Sequence, residues 1–79
     1  MWFTYIIECK DKTLYTGVTT NIKRRFSEHK NKKGGKYTSS HPVERVVYME
    51  NYLTMSEALK RELQIKGLRK EEKEKLFKN

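Results

Sequence analysis

Tyr5, Tyr15, Arg25, His29 and Glu62 are the residues of this 79-residue chain whose types and spacing could do chemistry together. On a helical projection Ile65, Ala58, Met55, Leu59 and Leu63 form one apolar face, and Glu62 falls inside that arc. A carboxylate in a core-facing stripe is costly unless it is paired, hydrogen-bonded or bound to a cation. Lys66, one turn further on, can pair with it for about 0.2–0.5 kcal/mol if exposed. On the residues alone, a cation site and an ion pair are equally supported. Arg25 and His29 share a stripe with Ile22 and Phe26, so both should edge against a sheet while Lys23 and Glu28 point into solvent. Arginine suits a fixed phosphate contact, because its planar fork gives two hydrogen bonds and keeps its charge. It could equally lay its stem over Phe26. A histidine on such a face is more often packed and satisfied than a base or ligand. Tyr5 and Tyr15 are candidates for a paired hydroxyl site, although strand tyrosines are common for packing alone. Cys9 opposite Thr13, or Lys10 opposite Leu14, puts both on one face, whereas Cys9 opposite Leu14 separates them. A shared face requires a three-residue turn, and Gly17 would then give a ligand close access to the backbone.

Eighteen Lys and Arg against ten Asp and Glu leave a net charge of +8, and the excess is concentrated. Lys23, Arg24, Arg25, Lys30, Lys32, Lys33 and Lys36 meet a single acid, Glu28, so this stretch holds six of the eight net charges. The segment from Lys60 onward is better balanced, with eight bases and four acids. A basic stripe is a polyanion footprint, each neutralised phosphate releasing counterions, although surplus lysine also serves solubility. Lys23, Arg24, Lys30, Lys32, Lys33 and Lys36 are the candidate nucleic-acid contacts. Cys9 alone cannot form an internal disulfide, and with His29 and His41 it falls short of a four-ligand zinc set. Apolar runs are too short to span a bilayer and no signal peptide precedes the first strand, so a soluble, cytoplasmic protein is expected. No dinucleotide, P-loop, zincin or serine-hydrolase motif is present.

The elements that must position these residues follow from patterning. The length allows one domain, residues 1–79, burying only about 60–65% of its unfolded surface. Trp2 to Cys9 reads as a strand, Lys10-Asp11-Lys12 as a turn, and Thr13 to Val18 as the second arm of a hairpin. Thr19, Thr20 and Asn21 supply capping side chains for a helix from Ile22 to about Asn31. Lys32 to His41, with Gly-Gly and Ser-Ser, reads as a loop. Pro42 opens a third strand, Val43 to about Glu50. Thr54 and Glu57 fit a capping box for a helix to Lys66, closed by Gly67 as a left-handed cap. Arg69 to Phe77 reads as a short charged helix. The order ββαβαα predicts an α+β fold, a three-stranded antiparallel sheet flanked by helices.

Thr4-Tyr5-Ile6 followed by Tyr15-Thr16-Gly17, then Arg25, His29 and Ala58-Leu59-x-x-Glu62, resembles the signature of the GIY-YIG nuclease superfamily, in order and over essentially the whole chain. Gly35-Lys36-Tyr37-Thr38, His41-Pro42-Val43 and the run from Glu62 to Gly67 are similar to a small stand-alone bacterial subfamily. The resemblance implies a metal-dependent phosphodiesterase acting on DNA. Tyr15 or Tyr5 would activate the attacking water, Arg25 would bind the scissile phosphate, and Glu62 would hold a single Mg²⁺ or Mn²⁺ ion. His29 would assist, with Tyr37 a further candidate. A free tyrosine has a pKa of about 10, so the phenol must be acidified by Arg25, a lysine or the metal, or must relay its proton. Thr4 stands for the first Gly of the signature and Thr16 for Ile. Val18 stands where excision-repair incision subunits carry Lys, and the late Asn of many active members has no counterpart except terminal Asn79. The alternative is a nucleic-acid-binding module that kept the fold without catalysis. Either would draw specificity from nucleic-acid structure or a protein partner.

Overall fold

The computed structural model describes every residue except Lys32, Gly34 and Asn79. Lys32 as a nucleic-acid contact, and Asn79, therefore lie outside the described residues. The elements are β1 (Trp2–Cys9), β2 (Leu14–Thr19), α1 (Ile22–Lys30), α2 (Lys36–Ser40), β3 (Val43–Tyr52), α3 (Met55–Lys66) and α4 (Lys70–Glu74). The expected α+β architecture is observed: an antiparallel sheet in the order β2-β1-β3 with helices packed on it. α2 is an addition, a short helix inside the segment read as a loop. Its backbone closes through Ser39 N–H to the Gly35 carbonyl at 3.1 Å and His41 N–H to the Tyr37 carbonyl at 3.0 Å. Gly35 precedes it at φ +138, a conformation that favours glycine. A helix this short is marginal by itself, so the contacts of Tyr37 and Thr38 described below hold it.

β1 is the central strand, and Thr4 to Cys9 are buried without a break rather than alternately, because both faces of the sheet are covered. Tyr5, Ile7 and Cys9 pack with Val43 toward α1, against Ile22 and Phe26, with Tyr15 and Val46 at the margin. The other face carries Thr4, whose hydroxyl donates to the Ala58 carbonyl of α3 at 2.8 Å. The hairpin has the three-residue turn. Cys9 N–H donates to the Thr13 carbonyl at 2.9 Å, and Lys12 takes a φ of +73. Asp11 Oδ1 braces the turn by accepting from Thr13 N–H at 3.1 Å and from its hydroxyl at 2.6 Å. This register sets Tyr5 opposite Gly17 and Ile7 opposite Tyr15, so both tyrosines share one face.

Three local expectations are corrected. The arc expected for α3 is rotated: Ala58 and Ile65 are buried, but Met55, Leu59 and Leu63 are 48%, 40% and 71% exposed. The sheet face beneath α3 is partly polar, and it takes Arg61 into a bidentate grip on Glu50 of β3 (Nε to Oε1 2.9 Å, Nη2 to Oε2 3.1 Å), where the Tyr48 and Tyr52 hydroxyls also donate. Gly67 is right-handed (φ −78, ψ −10), because Leu68 N–H closes a tight last turn on the Ile65 carbonyl at 3.0 Å and no left-handed reversal is needed. Glu28 does not point freely into solvent but accepts from Arg25 Nη1 at 3.0 Å. The capping box at Thr54 and Glu57 is present as expected.

Candidate active site

Gly17 is small for a reason different from the one expected. A Cβ there would stand 2.5 Å from Tyr5 Oη, 2.7 Å from its Cζ and 3.1 Å from the Tyr15 ring. The space over the Gly17 backbone is filled by the Tyr5 phenol, which lies across β2, rather than left open for a ligand. Tyr5 Oη meets His29 Nε2 at 2.9 Å, and His29 Nδ1 meets Thr38 Oγ1 at 2.7 Å; all three side chains are buried. Arg25 hydrogen-bonds the same phenol while holding Glu28 on its other side. A guanidinium only donates, so Tyr5 Oη accepts from Arg25. With the imidazole proton on Nδ1, the phenol would donate to Nε2 and Thr38 would accept from Nδ1, an arrangement that satisfies each of these groups.

Tyr15 packs beside this chain, its ring 5.0 Å from His29, edge to face, and 6.4 Å from Tyr5. Tyr37 stacks on Tyr15 at 5.8 Å and on His41 at 4.2 Å, and His41 Nδ1 meets Asp11 Oδ2 at 2.9 Å. This ladder of rings ties α2 to the hairpin tip. Burial pushes Tyr5 up to about 12, Tyr15 and Glu62 add to the rise, and the hydrogen bond and charge of Arg25 only partly offset it. Burial, then the Arg25 charge, lowers His29, so its imidazole is neutral at neutral pH.

The GIY-YIG catalytic domain family matches residues 1–75. The chain belongs to the GIY-YIG family. It is 53% identical over 68 residues to a UPF0213 protein of Desulfotalea psychrophila, an alignment covering 85% of this chain and 62% of that protein. A UPF0213 protein of Syntrophus aciditrophicus is 48% identical over 77 residues, covering 96% and 88%. The solution NMR structure of a UPF0213 protein from Bacillus halodurans is similar at a TM-score of 0.59 and 40% identity, covering 96% of this chain and 82% of that one. The chain thus spans less than two thirds of the Desulfotalea protein and most of the other two.

In this GIY-YIG domain the two signature triplets are one spatial unit, since Tyr5 and Ile6 of the first face Gly17 and Thr16 of the second across the hairpin, with Thr4 opposite Val18 and Tyr15 opposite Ile7. Thr16, in place of Ile, leaves a buried hydroxyl with no hydrogen-bond partner among the described residues. Tyr5, Tyr15, Arg25, His29 and Tyr37 are brought together by direct contacts. Glu62, on α3, makes none of these contacts: its side chain is 16% exposed and it acts on Tyr5 through its charge alone. It also pairs with Lys66 at 3.4 Å, so the ion pair weighed from the sequence is present. Among the described residues no three His, Cys, Asp and Glu converge as a metal cluster. A single half-buried carboxylate, paired with one lysine, fits a hard ion such as Mg²⁺, which keeps most of its waters and shares phosphate oxygens. It does not fit zinc.

Lys23, Arg24, Lys30, Lys33 and Lys36 lie on the outer side of α1, in the connection after it and at the start of α2, and all five are exposed. They form a rim beside the buried cluster and take no part in it. Thr38 was legible only as part of a family-like tetrapeptide. Nothing in the local pattern marks a threonine in a polar segment as a buried partner of His29, because that contact needs α2 to fold back onto α1.

Proposed function

We propose that this GIY-YIG domain is a metal-dependent endonuclease that hydrolyses phosphodiester bonds in DNA, and that it works in the cytoplasm, where buried Cys9 stays a thiol. The observation that carries this is the buried hydrogen bond between Tyr5 Oη and His29 Nε2, with Arg25 on the same phenol. At a pKa of about 12, Tyr5 is a poor phenolate but a good relay. Tyr5 Oη takes a proton from the attacking water while its own proton passes to His29 Nε2, and no free phenolate forms. Arg25 binds the non-bridging oxygens and stabilises the charge that grows on them. Tyr15 packs the Tyr5 and His29 rings into place. Glu62 would hold Mg²⁺ or Mn²⁺, which when bound supplies Lewis-acid stabilisation of phosphate charge. Lys23, Arg24, Lys30, Lys33 and Lys36 track the DNA backbone. Because His29 must be neutral to accept, cleavage rises with pH through the depressed histidine pKa and is on its plateau at neutral pH.

The Glu62–Lys66 pair favours a second reading, a DNA-binding module whose carboxylate is already neutralised. Cleavage of labelled single-stranded, duplex and branched DNA with Mg²⁺, Mn²⁺ or EDTA separates the two, using wild type and Glu62→Gln with binding measured alongside. Metal-dependent cutting that Glu62→Gln removes while binding persists supports the nuclease. Binding with no cutting by either protein leaves the module.

A further inference from the structure

We infer that Thr38 is a positioning residue: its hydroxyl accepts the Nδ1 proton of His29, which fixes the imidazole tautomer and turns the Nε2 lone pair toward Tyr5. The inference rests on the relay proposed above and extends it to Thr38 of α2, which meets the relay through His29. His29 lies on α1, its Nε2 2.9 Å from Tyr5 Oη of β1 and its Nδ1 2.7 Å from Thr38 Oγ1 of α2. Thr38 is 1% exposed, as is His29, so water cannot substitute for the hydroxyl. A neutral imidazole has one N–H and one lone pair, and whichever partner fixes one nitrogen fixes the other. With Thr38 accepting at Nδ1, only Nε2 is left to receive a proton from the phenol. Without that acceptor, a buried Nδ1–H is unsatisfied, and the proton is better placed on Nε2, where it can donate to Tyr5 Oη. The relay would then be blocked, because the atom that must accept is already protonated. Tyr37 next in sequence anchors α2 through its stack on Tyr15 and His41, so Thr38 is delivered by a braced turn rather than a loose loop.

Thr38→Val keeps the side-chain shape and removes the acceptor, and Thr38→Ser restores a hydroxyl. Nitrogen-15 shifts of the His29 ring, read in the free protein, should report the Nδ1–H tautomer in wild type and Thr38→Ser and a shift toward Nε2–H in Thr38→Val. In the cleavage assay kcat of Thr38→Val should fall about tenfold or more with KM little changed, a loss of roughly 1.4 kcal/mol, and Thr38→Ser should recover most of it. An Nε2–H tautomer in wild type, or an unchanged tautomer in Thr38→Val, overturns the inference whatever the activity does. If wild type cuts nothing, the nuclease proposal fails while the ring shifts still decide the role of Thr38. Should Thr38→Val not fold, Thr38→Ser against Thr38→Ala gives the same comparison.

Discussion

Gly17 and Thr16 sit side by side on β2 and face opposite sides of the sheet, and each makes a separate demand. The phenol of Tyr5 occupies the place of a Gly17 side chain, so Gly17→Ala must displace either the ring or the strand. The expected cost is about 1–3 kcal/mol of stability, together with loss of cleavage because the Tyr5–His29 hydrogen bond is pulled apart. Urea unfolding and the cleavage assay read the two effects separately. On the other face, the Thr16 hydroxyl is buried and has no partner among the described residues. Thr16→Val removes the orphan at constant shape and should raise stability by about 1 kcal/mol. A higher urea midpoint at unchanged slope would show it. A lower midpoint would mean the hydroxyl is satisfied by something such as an ordered water.

α3 performs two tasks with one buried stripe. Ala58 and Ile65 fill the space over the sheet, while Arg61 grips Glu50 and the charge of Glu62 acts on Tyr5. The helix is held by its capping box and the Arg61–Glu50 grip as much as by apolar contact. Met55, Leu59 and Leu63 are left outside. Leu59→Gln and Leu63→Gln should each change stability by no more than about 0.5 kcal/mol, whereas Ile65→Ala should cost about 2–5 kcal/mol. Chemical denaturation of the three variants tests the rotation of α3 directly. Comparable losses at Leu59 and Ile65 would put the helix back in the orientation suggested by its apolar residues. The contrast also explains why hydropathy periodicity misread this helix: it weighs a residue's own polarity and cannot register that the facing sheet offers Glu50 and Thr4 as partners.

At the scale of the molecule, three buried titratable groups, His29, Cys9 and Tyr5, bound the range of stability. The folded state lowers the pKa of His29, so below about pH 6.5 the unfolded chain binds more protons and stability falls as pH falls. The folded state raises Tyr5 to about 12, so above about pH 10 the unfolded chain loses its proton first and stability falls as pH rises. Burial also raises Cys9, so the unfolded thiol ionises first above about pH 8.5, and unfolding followed across pH should show a plateau from about 6.5 to about 8.5 with decline on both sides. Stability that climbs on acidification from pH 7 would refute a neutral buried His29. The rim of bases makes a separate prediction. Lys33→Ala with Lys36→Ala should weaken DNA binding about equally for all sequences. On duplex DNA the slope of log K against log salt should become shallower by about 0.9 for each phosphate that is no longer neutralised. Weakening confined to one sequence would mean that these lysines read bases.

Local rules were sufficient for much of this protein. Aromatic and β-branched runs mark the strands, Asn21 and the Thr54–Glu57 box mark helix starts, and the order of Tyr5, Tyr15, Arg25, His29 and Glu62 marks the family, all within short windows of sequence. The hairpin is intermediate: a three-residue turn could be anticipated, but its register depends on Lys12 taking a left-handed backbone and Asp11 bracing it. Only tertiary structure decided that Gly17 makes room for Tyr5, that α2 folds at all, that Thr38 reaches His29, and that α3 turns its leucines outward. Each of these depends on a partner distant along the chain, and a residue's local pattern carries no record of which atoms will face it once the sheet and helices close.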